Sequence, residues 1–400
     1  MIDCIMNILI KYLKKNIRFS IFLSEFFGGK CVSNINMDIL NPNQKRVLIC
    51  YLEVHNIEVN RVMHANVLQA MVMIKFFIDF GFCVDVCDCQ NELAPIITKD
   101  RRYDIIIGQG NNFKTACIFH KESHKILYVT ESLPSSVQRN YQVRKEYFEK
   151  RHPSIDIISS PARSGFFDDE MFTMADSAIV MSSLYNIEPM RKCIDNIYPI
   201  NCNTLINGKF IFDEAKCRYL LASIKKRFLW FGSKGFIHKG CDIVLDVFRE
   251  MSEFTIDFYG LDRKEKKIFN QLKSANTNDC GFINVQSKEF VDEVVYKHCF
   301  LIFPSCAEGM CTSVATCMAH GIIPIVTKET GFDPCEWIIE LRDYKKETII
   351  KAIYDVVNMS DDEIIRLKKG CIKYALQNFS IGHFDKEFRN IMAQITNAKS

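Results

Sequence analysis

Short apolar runs alternate with helical patterns twice along the chain, and this alternation restricts the fold more than any other feature of the sequence. The first series begins at Arg46–Leu52 and the second at Arg227–Phe231. Both runs are apolar, as is typical of strands buried on both faces of a parallel sheet. The alternation predicts an α/β fold with two Rossmann-like, doubly wound domains. We expect a ligand cleft between the carboxyl ends of the two sheets.

Each series contains further predicted elements. In the first they are strands Cys83–Val86, Tyr103–Ile107, Lys125–Thr130 and Ser177–Met181, and helices Ala65–Phe80 and Glu170–Ala175. In the second they are strands Thr255–Tyr259, Ile283–Val285, Phe300–Phe303 and Ile322–Val326, and helices Asp242–Met251, Lys264–Ser274, Glu289–Lys297 and Ser313–His320. Two more helices, Asp361–Gln377 and Ile381–Ile395, are predicted to close the chain.

These patterns divide the chain into four parts. Residues 1–45 are predicted to form an amphipathic helix and a linker. Residues 46–205 are predicted to form the first Rossmann-like domain and residues 206–378 the second. The last part, residues 379–400, is predicted to be a C-terminal helix, with a return to the first domain as one option.

The N-terminal stretch has two interpretations. Residues 1–27 carry apolar residues at helical spacing and basic residues from Lys11 to Arg18. A basic amphipathic helix can lie on the inner face of the cell membrane as a peripheral contact; the alternative is a helix that packs on the first domain. The polar stretch Ser33–Gln44 is interpreted as a linker. No apolar run reaches the ~20 residues of a membrane-spanning helix.

Composition and charge exclude several classes of protein. With 48% hydrophobic and 25% charged residues, the chain is not intrinsically disordered. The 51 basic and 48 acidic residues give a net charge of +3, so nothing in the charge balance indicates a nucleic-acid partner. The 18 cysteines include no pair with the Cys-x-x-Cys spacing of zinc and dithiol sites. We interpret most of them as reduced, buried residues of a cytoplasmic protein.

The turn Gly232–Gly240, with the sequence GSKGFIHKG, is the first candidate phosphate site. It follows a predicted strand and opens a predicted helix, whose first amides attract anions, and Lys239 adds a positive charge. The turn lacks the Gly-x-Gly-x-x-Gly dinucleotide fingerprint, and Cys241 stands where a Walker loop has lysine. The alternative is a tight turn with a solvated lysine.

The turn Phe303–Ser313 is the second candidate. It carries one carboxylate, Glu308, beside Gly309, which permits close approach of a ligand to the main chain. Thr312 or Ser313 can cap the helix that follows. Amides for a phosphate beside a carboxylate for hydroxyl groups suit a sugar attached to a diphosphate. The alternative is an acidic residue favoured by the helix dipole.

Together, these turns resemble those of the retaining GT-B glycosyltransferases of family 4 (glycosyl transferases group 1). Lys239-Gly240 matches the family's Lys-Gly pair, Glu308-Gly309 matches the start of its Glu-x7-Glu motif, and Cys317–Gly321 is similar to the helix end that follows. The similarity is clearest over Arg227–Asp333. It implies the GT-B fold, a nucleotide-diphosphate sugar as donor, and a glycan or other hydroxyl compound as acceptor. It also implies that the first domain, residues 46–205, holds the acceptor and that the second, residues 206–378, holds the donor.

The resemblance also implies site residues. Lys239 would offset the charge of the diphosphate, Glu308 would orient the donor sugar, and Glu131 would face the acceptor; the alternative role for Glu131 is a helix cap. The residues implied for donor binding are Gly232, Ser233, Lys234, Ile283, Gly309, Met310, Cys311, Thr312 and Thr316.

Two positions depart from the family pattern. Ser233 stands where the family has arginine, and Thr316 stands where it has the second glutamate. Serine brings no charge to a diphosphate, and threonine lacks the paired anionic oxygens that bind a ribose diol. Lys234 is a candidate substitute for the missing arginine.

The implied reaction is a transfer with retention at the anomeric carbon that uses no metal and no cofactor. Consistent with this, no Asp-x-Asp motif occurs in the sequence. We expect an enzyme of polysaccharide biosynthesis. The alternatives are a catalytically weakened GT-B protein that binds nucleotide sugar or glycan and supports a partner, an NAD-dependent oxidoreductase, and a sugar-nucleotide epimerase.

Overall fold

The computed structural model of the protein describes residues 31–52, 64–90, 101–156, 166–208 and 210–397. The amphipathic helix predicted at residues 1–27 lies outside the described residues. None of the described helices is both long enough and apolar enough to cross a membrane. Every cysteine in the described part of the chain is free, and most are buried, as the composition predicts.

Seven strands form the first sheet. They are β1 (Cys31–Ile35), β2 (Arg46–Tyr51), β3 (Cys83–Asp88), β4 (Ile105–Gly108), β5 (His124–Val129), β6 (Ser177–Val180) and β7 (Ile197–Pro199). Their order across the sheet is β1-β3-β2-β4-β5-β6-β7. All neighbours run parallel except β1, which pairs antiparallel with β3. Since β2 and β4 lie inside a parallel sheet, they are apolar along almost their whole length.

Helices cover both faces of this sheet. They are α1 (Ala65–Asp79), α2 (Gly110–Phe119), α3 (Pro134–Arg151), α4 (Asp169–Met174) and α5 (Leu184–Ile187), the last continued by a 3-10 turn at Glu188–Lys192. The first of them, α1, gives way to Gly81, whose φ of 77° is in the left-handed region that glycine adopts without strain.

Six parallel strands form the second sheet. They are β8 (Arg227–Phe231), β9 (Thr255–Tyr259), β10 (Thr277–Asp279), β11 (Phe300–Phe303), β12 (Ile323–Thr327) and β13 (Ile339–Leu341). Their order is β10-β9-β8-β11-β12-β13, so the direction of the connections reverses between β8 and β11. Ligands of doubly wound sheets bind at such a reversal point. The predicted class, two doubly wound α/β domains, is confirmed.

The helices of the second half are α6 (Glu214–Ile224), α7 (Cys241–Glu250), α8 (Glu265–Leu272), α9 (Thr312–Ala319), α10 (Lys346–Val357), α11 (Asp361–Asn378) and α12 (Ile381–Asn397). A π-helix occupies Phe290–Val295 and a 3-10 turn occupies Lys328–Thr330. The last helix, α12, packs on α1 of the first domain. The rings of Phe76 and Phe388 meet edge-on at 5.5 Å, and Arg389 pairs with Asp79 at 2.9 Å.

Two predicted features are wrong. Strand β1 lies partly within the stretch Ser33–Gln44, which we interpreted as a linker. Its five residues form an antiparallel edge strand of a sheet in which all other pairs of strands run parallel. Residues Ile283–Val285 form a loop, and the strand of that region lies earlier, at β10. Among the described residues, seven further helices and strands were not predicted, namely α2, α3, α5, α6, α10, β7 and β13.

Candidate functional site

A cleft of about 480 Å³ lies between the carboxyl ends of the two sheets. Its walls come from the turns after β2, β4 and β5 and the start of α1 on one side, and from the turns after β8, β10 and β11 on the other. The site residues singled out in the sequence that line it are Glu131, Gly232, Ser233, Lys239, Ile283, Glu308, Gly309, Met310, Cys311, Thr312 and Thr316. Lys234 does not line the cleft and is exposed, so the structure does not support its assignment to donor binding.

Lys239 forms a nearly buried ion pair with Glu308. The Lys239 Nζ lies 3.5 Å from Glu308 Oε1, and the two side chains are 6% and 15% exposed. The Trp230 indole donates to the main-chain carbonyl of Lys239 at 3.3 Å, and the lysine ammonium lies 5.3 Å from the centre of the Phe303 ring. Lys239 is the only lysine or arginine among the described residues that line the cleft. The alternative of a solvated lysine is therefore wrong.

Two neighbouring side chains, Ser305 and His238, orient the carboxylate of Glu308. The Ser305 hydroxyl donates to Glu308 Oε1 at 3.0 Å, and His238 Nε2 lies 3.9 Å from the same oxygen. Nε2 of His238 also faces the carbonyl of Ala307, so it carries the proton and donates there. These contacts hold one carboxylate and one ammonium group side by side at the carboxyl ends of the central strands of the second sheet.

In the turn Gly232–Gly240, main-chain amides bind a buried carboxylate of the protein itself and do not form an open anion site. The amides of Gly235 and Phe236 donate to Glu265 Oε1 at 2.5 and 2.9 Å. At the start of α7, the side chain of Asp242 is fully buried and pairs with Arg151 at 2.5 Å. A buried carboxylate therefore already occupies this helix terminus. The prediction that the start of α7 binds an anion is wrong; only Lys239 of this turn contributes charge to the cleft.

The start of α9 does face the cleft. Thr312 and Ser313 are its first two helical residues and both line the cleft. Amides in the first turn of a helix have no partner within the helix, so this terminus attracts anions. Neither predicted side-chain cap forms: Cys311 is the N-cap residue, and its Sγ lies 3.2 Å from Ser313 Oγ.

Thr316 is already paired with a neighbouring residue. Its Oγ1 lies 2.6 Å from Oγ1 of Thr204, which belongs to the segment between β7 and α6, and both residues are buried. One turn further, His320 Nδ1 donates to the carbonyl of Thr316 at 2.7 Å, and its Nε2 accepts from the amide of Asn207 at 3.1 Å. Burial lowers the pKa of His320 to about 4, so the ring is neutral at pH 7.

Glu131 lies on the opposite wall, where the two domains touch. Helix α3 has Leu133 as its N-cap residue, a side chain that cannot accept a hydrogen bond. A Cβ added to Gly309 would lie 2.2 Å from the carbonyl oxygen of Thr130 and 3.0 Å from the amide nitrogen of Glu131. The turn after β5 therefore packs directly on the turn after β11, and only glycine fits at position 309.

Arg144 shapes the site, but the sequence alone did not identify it. Arg144 is 1% exposed; its guanidinium donates to the carbonyl of Pro304 at 2.9 Å and lies 4.5 Å from the centre of the Tyr344 ring. Its partners are distant in the sequence, so no local spacing pointed to it. In the described part of the chain, no three His, Cys, Asp or Glu residues are grouped to hold a metal ion.

Comparisons with known proteins find similarity in structure alone. No protein-family model matches the sequence, and no curated protein matches it. The Anabaena protein Alr3699/HepE, solved with UDP and glucose, matches with a TM-score of 0.57 and 10% identity over 88% of this chain and 100% of its own.

Two further structures agree. TarM, known from S. aureus, matches with a TM-score of 0.52 and 13% identity, over 75% of this chain and 58% of its own. The pneumococcal O-GlcNAc transferase GtfA, solved with UDP and GlcNAc, matches with a TM-score of 0.50 and 11% identity, over 78% and 61%. This chain thus spans about three fifths of these two proteins. The likeness shows the GT-B fold, two Rossmann-like domains that face each other across a cleft.

Proposed function

We propose that this protein is a glycosyltransferase that moves a sugar from a nucleotide-diphosphate donor to a hydroxyl group of a glycan or similar acceptor. The observation that carries the proposal is the Lys239–Glu308 pair beside the first turn of α9, at the point where the order of the second sheet reverses. A cation and helix amides suit a diphosphate, and a carboxylate suits sugar hydroxyls.

The same groups suit the chemistry of transfer. Cleavage of the bond between sugar and phosphate develops negative charge on the departing diphosphate, which Lys239 and the amides of Thr312 and Ser313 would stabilise. Glu308 would accept hydrogen bonds from the donor sugar and fix its orientation. Glu131, on the wall contributed by the first domain, would face the acceptor hydroxyl, within reach for proton transfer or a hydrogen bond.

Structural neighbours support a nucleotide sugar as donor. HepE was solved with UDP and glucose and GtfA with UDP and GlcNAc, in the same fold. In this chain, Phe282 and Ile283 lie in the loop after β10 and line the cleft, where an apolar wall suits a nucleobase. We further propose retention at the anomeric carbon without a metal or cofactor, and a role in polysaccharide biosynthesis in the cytoplasm. Contact of residues 1–27 with a membrane stays a prediction.

A second candidate function is favoured by two observations. Thr316 uses its hydroxyl on Thr204, and Lys239 is the only lysine or arginine among the described residues of the cleft. Both observations favour a lower affinity for the donor. A protein with low affinity and no turnover would act as a binding partner that supports an active enzyme. Such a protein binds nucleotide sugar or glycan without turnover.

One experiment separates the two candidates. The full chain is incubated with radiolabelled UDP, GDP, ADP and CMP sugars and a broad acceptor panel, and thermal stability is measured with each nucleotide. Transfer from one donor class supports the enzyme. Stabilisation without transfer supports the binding protein. Absence of both overturns the proposal.

A further inference from the structure

The loop that carries Glu308 is held by side chains of the opposite domain. Its carbonyl groups accept five hydrogen bonds from the first domain: Arg144 to Pro304 at 2.9 Å, Asn140 to Cys306 at 3.0 Å, Ser132 and Asn186 to Glu308 at 2.5 and 3.0 Å, and Ser182 to Gly309 at 2.8 Å. The amides of Ser305, Cys306, Glu308 and Cys311 instead donate to carbonyls of their own domain. The conformation of this loop therefore depends on both domains at once.

Four of the five donors lie outside the cleft, and two of these, Ser182 and Asn186, bond to the carbonyls of Gly309 and Glu308. Ser182 and Asn186 are 4% and 7% exposed, and neither lines the cleft. They follow β6, behind the wall that would face a substrate. A substrate in the cleft does not reach them, so any influence on its binding passes through the main chain of Glu308 and Gly309.

The loop has little space to take another conformation. On one side, a Cβ at Gly309 would lie 2.2 Å from the carbonyl oxygen of Thr130. On the other, a Cβ at Gly331, whose φ is 87°, would lie 1.5 Å from the carbonyl oxygen of Gly309. Glycine at both positions lets the main chain approach from both sides.

We propose that Ser182 and Asn186 are positioning residues for Glu308: by fixing the main chain of Glu308 and Gly309, they set the carboxylate against Lys239. The role of Glu308 itself rests on the proposed function. Because Glu308 would contact the donor sugar and Lys239 the diphosphate, losing Ser182 or Asn186 weakens the hold on the sugar and leaves the hold on the diphosphate.

Hydrogen exchange tests the structural half of the proposal without requiring activity. Amide exchange over residues 305–313 is measured by mass spectrometry in the full-length Ser182→Ala and Asn186→Leu variants. Each loses one hydrogen bond to the loop, so we expect about tenfold faster exchange there. The matched control is Ser183→Ala: Ser183 is fully buried and adjacent, and its hydroxyl has no hydrogen-bond partner among the described residues. Exchange equal to that of the control overturns the proposal.

Kinetics test the functional half. In an active protein, we expect kcat to fall about tenfold in Ser182→Ala, and the affinity advantage of nucleotide sugar over bare nucleoside diphosphate to shrink, while Ser183→Ala matches the parent. Ser182→Thr, which keeps the hydroxyl, restores both. A loosened loop with unchanged kcat overturns the positioning role. If the parent turns over no donor, the proposed function fails, and hydrogen exchange alone then decides whether the loop is positioned by the first domain.

Discussion

The ammonium group of Lys239 lies 3.5 Å from the carboxylate of Glu308, on turns that follow the two neighbouring strands β8 and β11. Because both side chains are nearly buried, each charge depends on the other for compensation. An anionic ligand that binds Lys239 therefore competes with Glu308, and sugar hydroxyls supply the carboxylate with new donors. Under the proposed function, the pair would bind a phosphate and a sugar together in preference to a phosphate alone.

Replacing Lys239 tests its role in donor binding. In Lys239→Met, which keeps most of the side-chain volume, we expect the affinity for nucleotide to fall about ten- to hundredfold, the range for a lost charged hydrogen bond. The measurement is the rise in thermal midpoint on titration with the nucleotide that stabilises the parent. The control is Lys234→Met, whose exposed side chain lies outside the cleft. Equal stabilisation of parent and Lys239→Met would place the diphosphate elsewhere.

Adding one methyl group at Gly309 tests the contact between the domains. The new Cβ would meet the carbonyl of Thr130 at 2.2 Å, so the two turns must separate. In Gly309→Ala we expect a lower thermal midpoint and loss of turnover. Gly382→Ala is the control, because that position has open space in α12 and alanine favours a helix. A Gly309→Ala protein as stable and active as the parent would contradict the packing described here.

Arg151 joins the domains through buried carboxylates. It lies on α3 and pairs with Asp242 and Asp246 on α7, whose side chains are 0% and 7% exposed. Burial raises the pKa of Asp242, while Arg151 opposes that rise. In Arg151→Met we expect a loss of about 3–5 kcal/mol in the free energy of unfolding, measured in urea, because buried charges lose their partner. Arg366→Met, which breaks only exposed pairs, serves as control and should unfold near the parent's midpoint.

Stability should fall in mild acid, and His320 contributes to the fall. Burial lowers the pKa of His320 to about 4 in the folded protein, against about 6.5 unfolded. Between these values only the unfolded chain binds the proton, so stability decreases as pH falls from about 6.5 to 4. Protonation would also aim Nε2–H at the amide of Asn207. We expect urea unfolding of His320→Gln to depend less on pH in this window. An unchanged pH dependence would mean that folding does not lower the pKa of His320.

The sequence predicted the fold class well because the central strands of both sheets are apolar and buried on both faces. Strands β8, β9 and β11 are predicted to within a residue, since β-branched and aromatic runs bounded by turns leave few alternatives. By contrast, α3 is mostly polar. Its buried residues Val137, Tyr141, Arg144 and Phe148 follow helical spacing, but one of the four is an arginine, so the apolar pattern in the sequence is sparse.

For the site, the sequence located the two turns but not the residues of this chain that form hydrogen bonds with them. Lys239 and Glu308 follow strands that are neighbours in the sheet, so topology alone brings them together. Nothing local showed that Glu265 binds the amides of Gly235 and Phe236, because its own helix, α8, follows a different strand. The pairing of Thr316 with Thr204 likewise joins α9 to a distant segment of the chain.

The helix that ends the chain packs on the helix that opens the first domain, through Phe388 against Phe76 and Arg389 against Asp79. Because synthesis proceeds from the N-terminus, α1 leaves the ribosome long before α12 is made. The apolar surface around Phe76 thus has no permanent cover until α12 has been made. The first domain therefore completes its packing only after the second domain has been synthesised.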